Sequence, residues 1–265
     1  VCLLIAISGV VADAPLLIAA NRDEFYDRDA VNLTVLQDTE PRMLGGRDLV
    51  AGGTWLAVNE RGVVAALTNK PTEGQRDPAK RSRGEIPLLL AAQPSASAAV
   101  DALQSAFAPD AFNPCWVLVG DRRALYYLDM TGPEGVKSEL LPPGVHILEN
   151  KPLGSPSKKV DHVRELLGDC EKRSADEVIA DFGGLLGDHL MPLLPIDGSE
   201  TAERQSRISA CCVHTELYGT RSAMVVCDPP SASDEPRVWV ADGPPCTHPF
   251  SPVTFDQFFD SRAGG

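Results

Sequence analysis

Two nearly continuous apolar runs, residues 2–8 and 16–20, are separated by Ala12-Asp13-Ala14-Pro15, and the second leads directly into Asn21-Arg22-Asp23-Glu24. A strand that is apolar at consecutive positions has no solvated side and needs cover on both faces. The short segment between the runs reads as a turn. The pair is therefore a buried β-hairpin whose second strand delivers a polar cluster to the rim of a sheet. Functional groups are often held at such rims by a rigid scaffold, and Cys2 and Asp23 are expected to meet there.

The rest of the chain repeats hairpins at both ends around a helical middle. Residues 54–58 and 62–68 flank Asn59-Glu60-Arg61-Gly62, in which Asn and Gly tolerate positive φ and suit a hairpin turn. Residues 38–53, with Gly45-Gly46 and Gly52-Gly53, read as a polar loop that approaches something closely. Helical spacing marks residues 85–92, with Pro87 confined to the first turn, and 97–107. Helices over 158–167 and 175–186 follow, the latter opened by Ser174 and Glu177 as a capping box. Further strands are expected at 116–120, 124–129, 145–148, 209–214, 221–227 and 237–241. Hairpin-linked strands make antiparallel sheets. Strands apolar on both faces require a layer on each side, so the expected class is α+β: an αββα sandwich, two antiparallel sheets between helical layers. With 43% hydrophobic residues, residues 1–265 are expected to form a single domain.

A formal net charge of −13 and a pI near 4.8 argue against nucleic acid as a partner, since phosphate neutralisation needs clustered Lys and Arg. No apolar run approaches the roughly 20 residues that span a bilayer. Residues 1–14 lack the positive start of a secretory signal and read as strand. The seven cysteines are odd in number and contain no Cys-x-x-Cys pair. A reducing cytoplasm is the simplest compartment, with no disulfide framework and no metal. Cys211, Cys212 and His214 resemble a metal cluster superficially, but adjacent cysteines in a strand point to opposite faces, so they read as small buried side chains. His146, in a short strand, reads as a core histidine, and Arg47, Arg81 and Arg83 as solvated or ion-paired surface residues.

Several motifs occur in order: Ala19-Ala20-Asn21-Arg22-Asp23-Glu24-Phe25-Tyr26, Gly52-Gly53-Thr54-Trp55-Leu56, Asn59-Glu60-Arg61-Gly62, Ala66-Leu67-Thr68-Asn69, Arg81-Ser82-Arg83-Gly84-Glu85 and Gly219-Thr220-Arg221. Together they resemble the NRDE protein family, which includes the transport and Golgi organization protein 2 group, from Cys2 to about Cys227. More distantly the same positions resemble the choloylglycine hydrolase and penicillin acylase branch of the N-terminal nucleophile hydrolases, whose fold is αββα. That resemblance implies Cys2 as nucleophile, Asp23 as holder of the terminal amine, and Asn69 and Asn150 as oxyanion-stabilising donors. The chain departs from that branch at Ala20, where the branch has arginine, and its later catalytic arginine has no matching position here.

A thiol at the chain terminus can use its own α-amine as base, because an amine with a pKa of about 7.7–8 takes a proton readily near neutrality. This presupposes loss of Val1, read here as an alternative start codon decoded as methionine and trimmed before a small residue. Asn21, Arg22 and Arg221 are the expected substrate contacts. Arg221 suits a carboxylate or phosphate; Arg22 reads equally as half of a structural pair with Glu24. The expected activity is an N-terminal cysteine hydrolase or acyltransferase acting on a small acyl, amide or thioester ligand without a cofactor. The alternative is a non-catalytic binding or trafficking protein carrying an acyl-CoA, lipid or haem-like ligand in the same cleft.

Overall fold

A computed structural model describes residues 3–71, 76–108, 110–190, 209–231 and 233–259, except the side chain of Lys172. In chain order the strands are β1 (Leu3–Val11), β2 (Ala14–Phe25), β3 (Ala30–Gln37), β4 (Met43–Asp48), β5 (Leu56–Asn59), β6 (Val64–Asn69), β7 (Cys115–Gly120), β8 (Leu125–Met130), β9 (Lys137–Leu140), β10 (Gly144–Leu148), β11 (Tyr218–Asp228), β12 (Arg237–Ala241) and β13 (Ser251–Val253). The helices are α1 (Glu85–Ala91), α2 (Ala96–Ala106), α3 (Lys158–Leu167), α4 (Ala175–Leu186) and α5 (Phe255–Phe259).

Two antiparallel sheets result, one ordered β10-β1-β2-β11-β12-β13 and the other β3-β4-β5-β6-β7-β8-β9. Strand alternation sorts the apolar residues into three layers. Leu4, Ala6, Leu16, Ile18 and Ala20 face Leu56, Val58, Val64 and Leu118 of the other sheet. On the opposite face Leu3, Ile5, Leu17 and Ala19 pack against Val163 of α3 and Val178 and Phe182 of α4. Ala65, Leu67 and Val117 likewise pack beneath Ile86 and Leu90 of α1 and Ala99 and Leu103 of α2. This is the αββα sandwich, and it explains why the first hairpin is apolar on both sides. Among the described residues no helix is long and apolar enough to cross a membrane.

Local chemistry fixes the elements that frame the rim. The capping box of α4 is complete: Ser174 N donates to Glu177 Oε2 (2.8 Å) and Glu177 N to Ser174 Oγ (3.3 Å). In the β5–β6 turn Gly62 takes φ +84°, while Asn59 Oδ1 accepts from Arg61 N and Val63 N. Asn59 Nδ2 donates to Ala91 O (2.8 Å) and Gln93 O (3.1 Å), tying the turn to the end of α1.

The expected loop over 38–53 is corrected: it contains β4, paired with β3 and β5. Glycine hid the strand by interrupting its apolar alternation, yet glycine is what the strand needs. A Cβ on Gly45 would lie 2.3 Å from Leu56 O, and one on Gly46 would lie 1.9 Å from the Trp55 indole. The strand expected at 209–214 is also absent. The described residues there form turns and one isolated bridge, His214 to Gly219. Cys212 N donates to Asp188 O (2.9 Å) and Val213 N to Thr220 Oγ1 (2.9 Å), so this backbone satisfies itself outside a ladder. The exposed edge strand β9, the three-residue β13 and the five-residue α5 had no readable pattern.

At the end of the sandwich marked by the β5–β6 and β7–β8 turns, Asp228 of β11 lies under Gly62 and accepts from Arg122 Nη2 (2.7 Å). Burial nevertheless raises the Asp228 pKa to about 6, the Arg122 attraction opposing it incompletely. Its folded-state pKa thus exceeds the unfolded value, so the native state binds the extra proton between about pH 4 and 6 and loses stability as pH rises through that window. Denaturant titrations should show wild type losing about 3 kcal/mol relative to Asp228→Asn between pH 4 and 7; a difference independent of pH would contradict the assignment. Gly46→Ala should cost about 1–3 kcal/mol in the same assay, through overpacking against Trp55.

Candidate active site

β2 changes character at Asn21. That residue is fully buried, and its Nδ2 donates to Leu186 O at the end of α4 (2.9 Å) and to Cys211 O (2.8 Å). It therefore satisfies a helix-end carbonyl that would otherwise be orphaned. Two positions on, Asp23 is 4% exposed; its Oδ1 accepts from the Thr220 hydroxyl (2.6 Å), while its Oδ2 is buried without a partner among the described residues. An unmatched buried carboxylate oxygen is costly and marks a place where a donor belongs.

The neighbouring strand secures this arrangement through a bulge. Thr220 pairs with Asp23 and Ser222 with Arg22, which leaves Arg221 as the extra residue of β11. Arg221 Nη1 donates to Phe25 O (2.8 Å) and Tyr26 O (2.9 Å), and its guanidinium lies 5.7 Å from the Tyr26 ring centre. Arg221 thus fastens the end of β2.

Arg22 points to the other face of β2. Its guanidinium lies 4.5 Å from the Trp55 ring centre, in the space that the missing side chain of Gly46 opens for the indole. The residue is 4% exposed, and its Nη1 has no partner among the described residues. Burial lowers its pKa, opposed mainly by the nearby Glu24 charge. Arg83 is similarly desolvated and lowered, with Nη1 donating to Pro114 O (3.2 Å). It is carried by a tight crossing in which Thr54 N donates to Gly84 O (3.0 Å) and Gly53 lies too close to Gly84 for a side chain.

Arg22, Asp23, Trp55 and Arg83 open onto a cavity of about 1000 Å³, large enough for a drug-sized ligand. Its wall carries Arg22, Arg28, Lys70, Arg76, Arg83, Lys151, Lys158 and Lys159 against Asp23, Glu24, Asp48 and Glu149. Three of the anions are engaged at the rim: Arg28 bonds Asp48 (2.6 Å) and approaches Glu24 (3.7 Å), and Lys151 approaches Glu149 (3.3 Å). A locally cationic wall in a chain of net charge −13 is a focused field for an anion. Across the mouth, Asn150 Nδ2 donates to Asn69 O (2.6 Å) and Thr68 Oγ1 to Glu149 O (3.1 Å), joining the ends of β6 and β10. Since an amide NH₂ has two hydrogens, Asn150 retains a second donor. Neither a cysteine nor a histidine lines the cavity among the described residues. His146 instead bonds Pro142 O (2.8 Å) and faces a separate groove.

Of the residues singled out in the sequence, Arg22, Asp23, Asn69 and Asn150 converge on this cavity, whereas Asn21 and Arg221 do not line it. Cys2 lies outside the described residues; Leu3, which follows it, pairs with Asn21. Arg83, read above as a surface residue, is a cavity residue; Trp55 and the 5% exposed Lys159 on the cavity wall, and Thr220, which holds Asp23 from behind it, were missed. Arg83-Gly84 and Gly52-Gly53-Thr54-Trp55 were visible as motifs, but a helical lysine such as Lys159 carries no sequence signal of burial.

In solved structures the same fold is found in a Caenorhabditis elegans N-acylethanolamine-hydrolyzing acid amidase ortholog, at a TM-score of 0.55 and 12% identity over 88% of this chain and 95% of that one. A conjugated bile acid hydrolase from Clostridium perfringens gives a TM-score of 0.54 and 13% identity over 97% and 93%. The αββα architecture is thus shared with both of these proteins. In sequence, the Transport and Golgi organization 2 homolog of Mus musculus is 28% identical over 231 residues, covering 80% of this chain and 81% of its own. The human homolog is 29% identical over 228 residues with the same coverage. The family model for Transport and Golgi organisation 2 matches residues 1–231, and this chain belongs to that family.

Proposed function

We propose that the chain is an N-terminal cysteine hydrolase or acyltransferase acting on a small anionic amide or thioester bound in this cavity. The observation that carries the reading is the buried Oδ2 of Asp23 on the cavity wall, which has no partner among the described residues while Thr220 holds the other carboxylate oxygen. Leu3 pairs with Asn21 on the strand that carries Asp23, so the chain enters β1 at this same rim. In the proposed reaction the Cys2 thiol passes its proton to its own amine, which Asp23 orients, and the thiolate attacks the acyl carbonyl. Amide hydrogens of Asn69 and Asn150 stabilise the oxyanion, a contribution of about 3–4 kcal/mol for each well-placed donor. The ammonium then returns its proton to the leaving amine or thiol. Water, or an acceptor nucleophile, resolves the acyl-enzyme. The desolvated Arg22 supplies an anion-binding N–H, consistent with amidase and hydrolase activity in proteins of this fold.

The cationic excess of the wall also favours a second reading, a carrier that holds an anionic acyl ligand without turning it over. The two readings separate on turnover. With an anionic acyl thioester reporter, Cys2→Ala should lower the rate roughly 10,000-fold or more while leaving binding and the circular dichroism spectrum unchanged. Asp23→Asn should lower it about 10²–10⁴-fold, as expected for loss of an acid–base helper. Wild-type protein that binds the reporter but turns it over no faster than Cys2→Ala would favour the carrier. Arg22→Gln should weaken anionic ligands about 10-fold or more, matching loss of one charge-assisted hydrogen bond, and leave a neutral analogue unaffected. Equal weakening of both would remove the anion-binding role.

A further inference from the structure

Four soft donors gather beside the candidate site. His189 follows α4, Cys212 and His214 precede β11, and Cys246 follows β12, yet their ligand atoms all lie within 4.8 Å of one another. Cys212 Sγ is 3.7 Å from Cys246 Sγ and 3.6 Å from His214 Nε2, and His214 Nε2 is 3.3 Å from Cys246 Sγ. A tetrahedral zinc ion, with Zn–S near 2.3 Å and Zn–N near 2.0–2.1 Å, requires edges of about 3.8 Å between sulfurs and about 3.5 Å between sulfur and nitrogen. The three edges among Cys212, His214 and Cys246 match that geometry; the His189 ligand atom lies within 4.8 Å of the others and closes in by up to roughly 1 Å to complete the tetrahedron. His189 Nδ1 lies 3.1 Å from Cys212 O. Donation to that carbonyl would present Nε2 to a metal, as an outer-shell partner commonly does for a ligating histidine.

The sequence reading that adjacent cysteines point to opposite faces holds for side-chain direction: Cys211 enters the helix-side core. Both are buried, as that reading expects; what it did not display is that the remaining partners of Cys212 come from 23 residues upstream and 34 downstream, a separation no short motif shows. Gly187, capping α4, lies 3.1 Å from the Cys246 backbone at the position of its missing Cβ, so the approach is built into the backbone.

We propose that His189, Cys212, His214 and Cys246 form a structural Zn²⁺ site that staples the end of α4 to the loops entering β11 and leaving β12. Two thiolates and two imidazoles in tetrahedral array suit Zn²⁺ above the harder divalent ions. The staple bears on the rim of β2, because the same short segment supplies Cys211 O to Asn21, and Val213 both donates to Thr220 Oγ1 and accepts from Thr220 N (2.8 Å). Thr220 in turn holds Asp23. Binding displaces the two thiol protons to solvent as the Zn–S bonds form, with no change of oxidation state.

The test is metal content of the full-length protein, with no activity readout, so it stands apart from the catalytic proposal. Protein purified under reducing conditions and dialysed against trace Zn²⁺ should retain about one zinc per chain. Stripped protein titrated with Co²⁺ should release about two protons as it develops the visible spectrum of a tetrahedral thiolate site, and Zn²⁺ should then displace Co²⁺ without further proton release. Cys246→Ser should weaken Zn²⁺ by more than the roughly 10–100-fold typical of disturbing an outer-shell partner, and zinc should raise the melting temperature of wild type but not of this variant. Wild type that takes up neither metal stoichiometrically would overturn the proposal and leave a hydrogen-bonded thiol–imidazole cluster. A Cys212–Cys246 disulfide found by thiol counting under those reducing conditions would overturn it as well.

Discussion

The pairing of β2 with β11 is the constraint on which the remainder rests. β2 lies inside its sheet, with β1 on one side and β11 on the other. Its apolar stretch binds both neighbouring layers, so its position is set by two cores at once. A one-residue slip would exchange those faces and bury Arg22 among the helices. The bulge at Arg221 ends this regular register where the polar residues begin, setting Thr220 opposite Asp23. A carboxylate carried by so constrained a strand can keep one oxygen unmatched without collapsing onto a substitute partner. The cost of an oxygen that finds no partner among the described residues is borne by the packing of two layers.

Electrostatics at the rim run against the charge of the whole chain. Acidic residues outnumber basic ones 37 to 24, yet the cavity gathers cations from β2, the segment before α1 and the first turn of α3. Arg22 and Arg83 are both desolvated there, and burial lowers the pKa of each. Stripping water from a guanidinium is costly unless an anion or an aromatic face replaces it. Trp55 replaces part of that hydration for Arg22, and Nη1 has no partner among the described residues. A wall built in this way favours ligands that bring negative charge, whether or not they react.

Much of the architecture was legible because alternation and turn chemistry act locally. The double-sided apolar runs of the first hairpin demanded two covering layers, and Ser174 with Glu177 announced α4 at its observed boundary. The failures share a cause: the deciding partner sits on another element, outside the local pattern that a sequence displays. Gly45 and Gly46 are strand residues because Leu56 and Trp55 leave no room for a side chain. Residues 209–214 leave the sheet because Asp188 and Thr220 take their backbone groups. At the site, Asp23 and Asn150 were readable through ordered motifs. Arg221 was misleading, since a bulge that no local pattern reveals turns its side chain toward the carbonyls of Phe25 and Tyr26. Cys212 depends on His189 and Cys246, which only the fold brings near.

The central claim is that the rim of β2 serves a nucleophile at the start of the mature chain. Intact-protein mass spectrometry after brief mixing with an anionic acyl thioester, followed by peptide mapping, tests it most directly. The account predicts a mature chain lacking Val1 and one acyl group on the Cys2 sulfur, which disappears on further incubation with water or an acceptor. A chain that retains Val1, or that carries no adduct on Cys2 at saturating reporter, would contradict it.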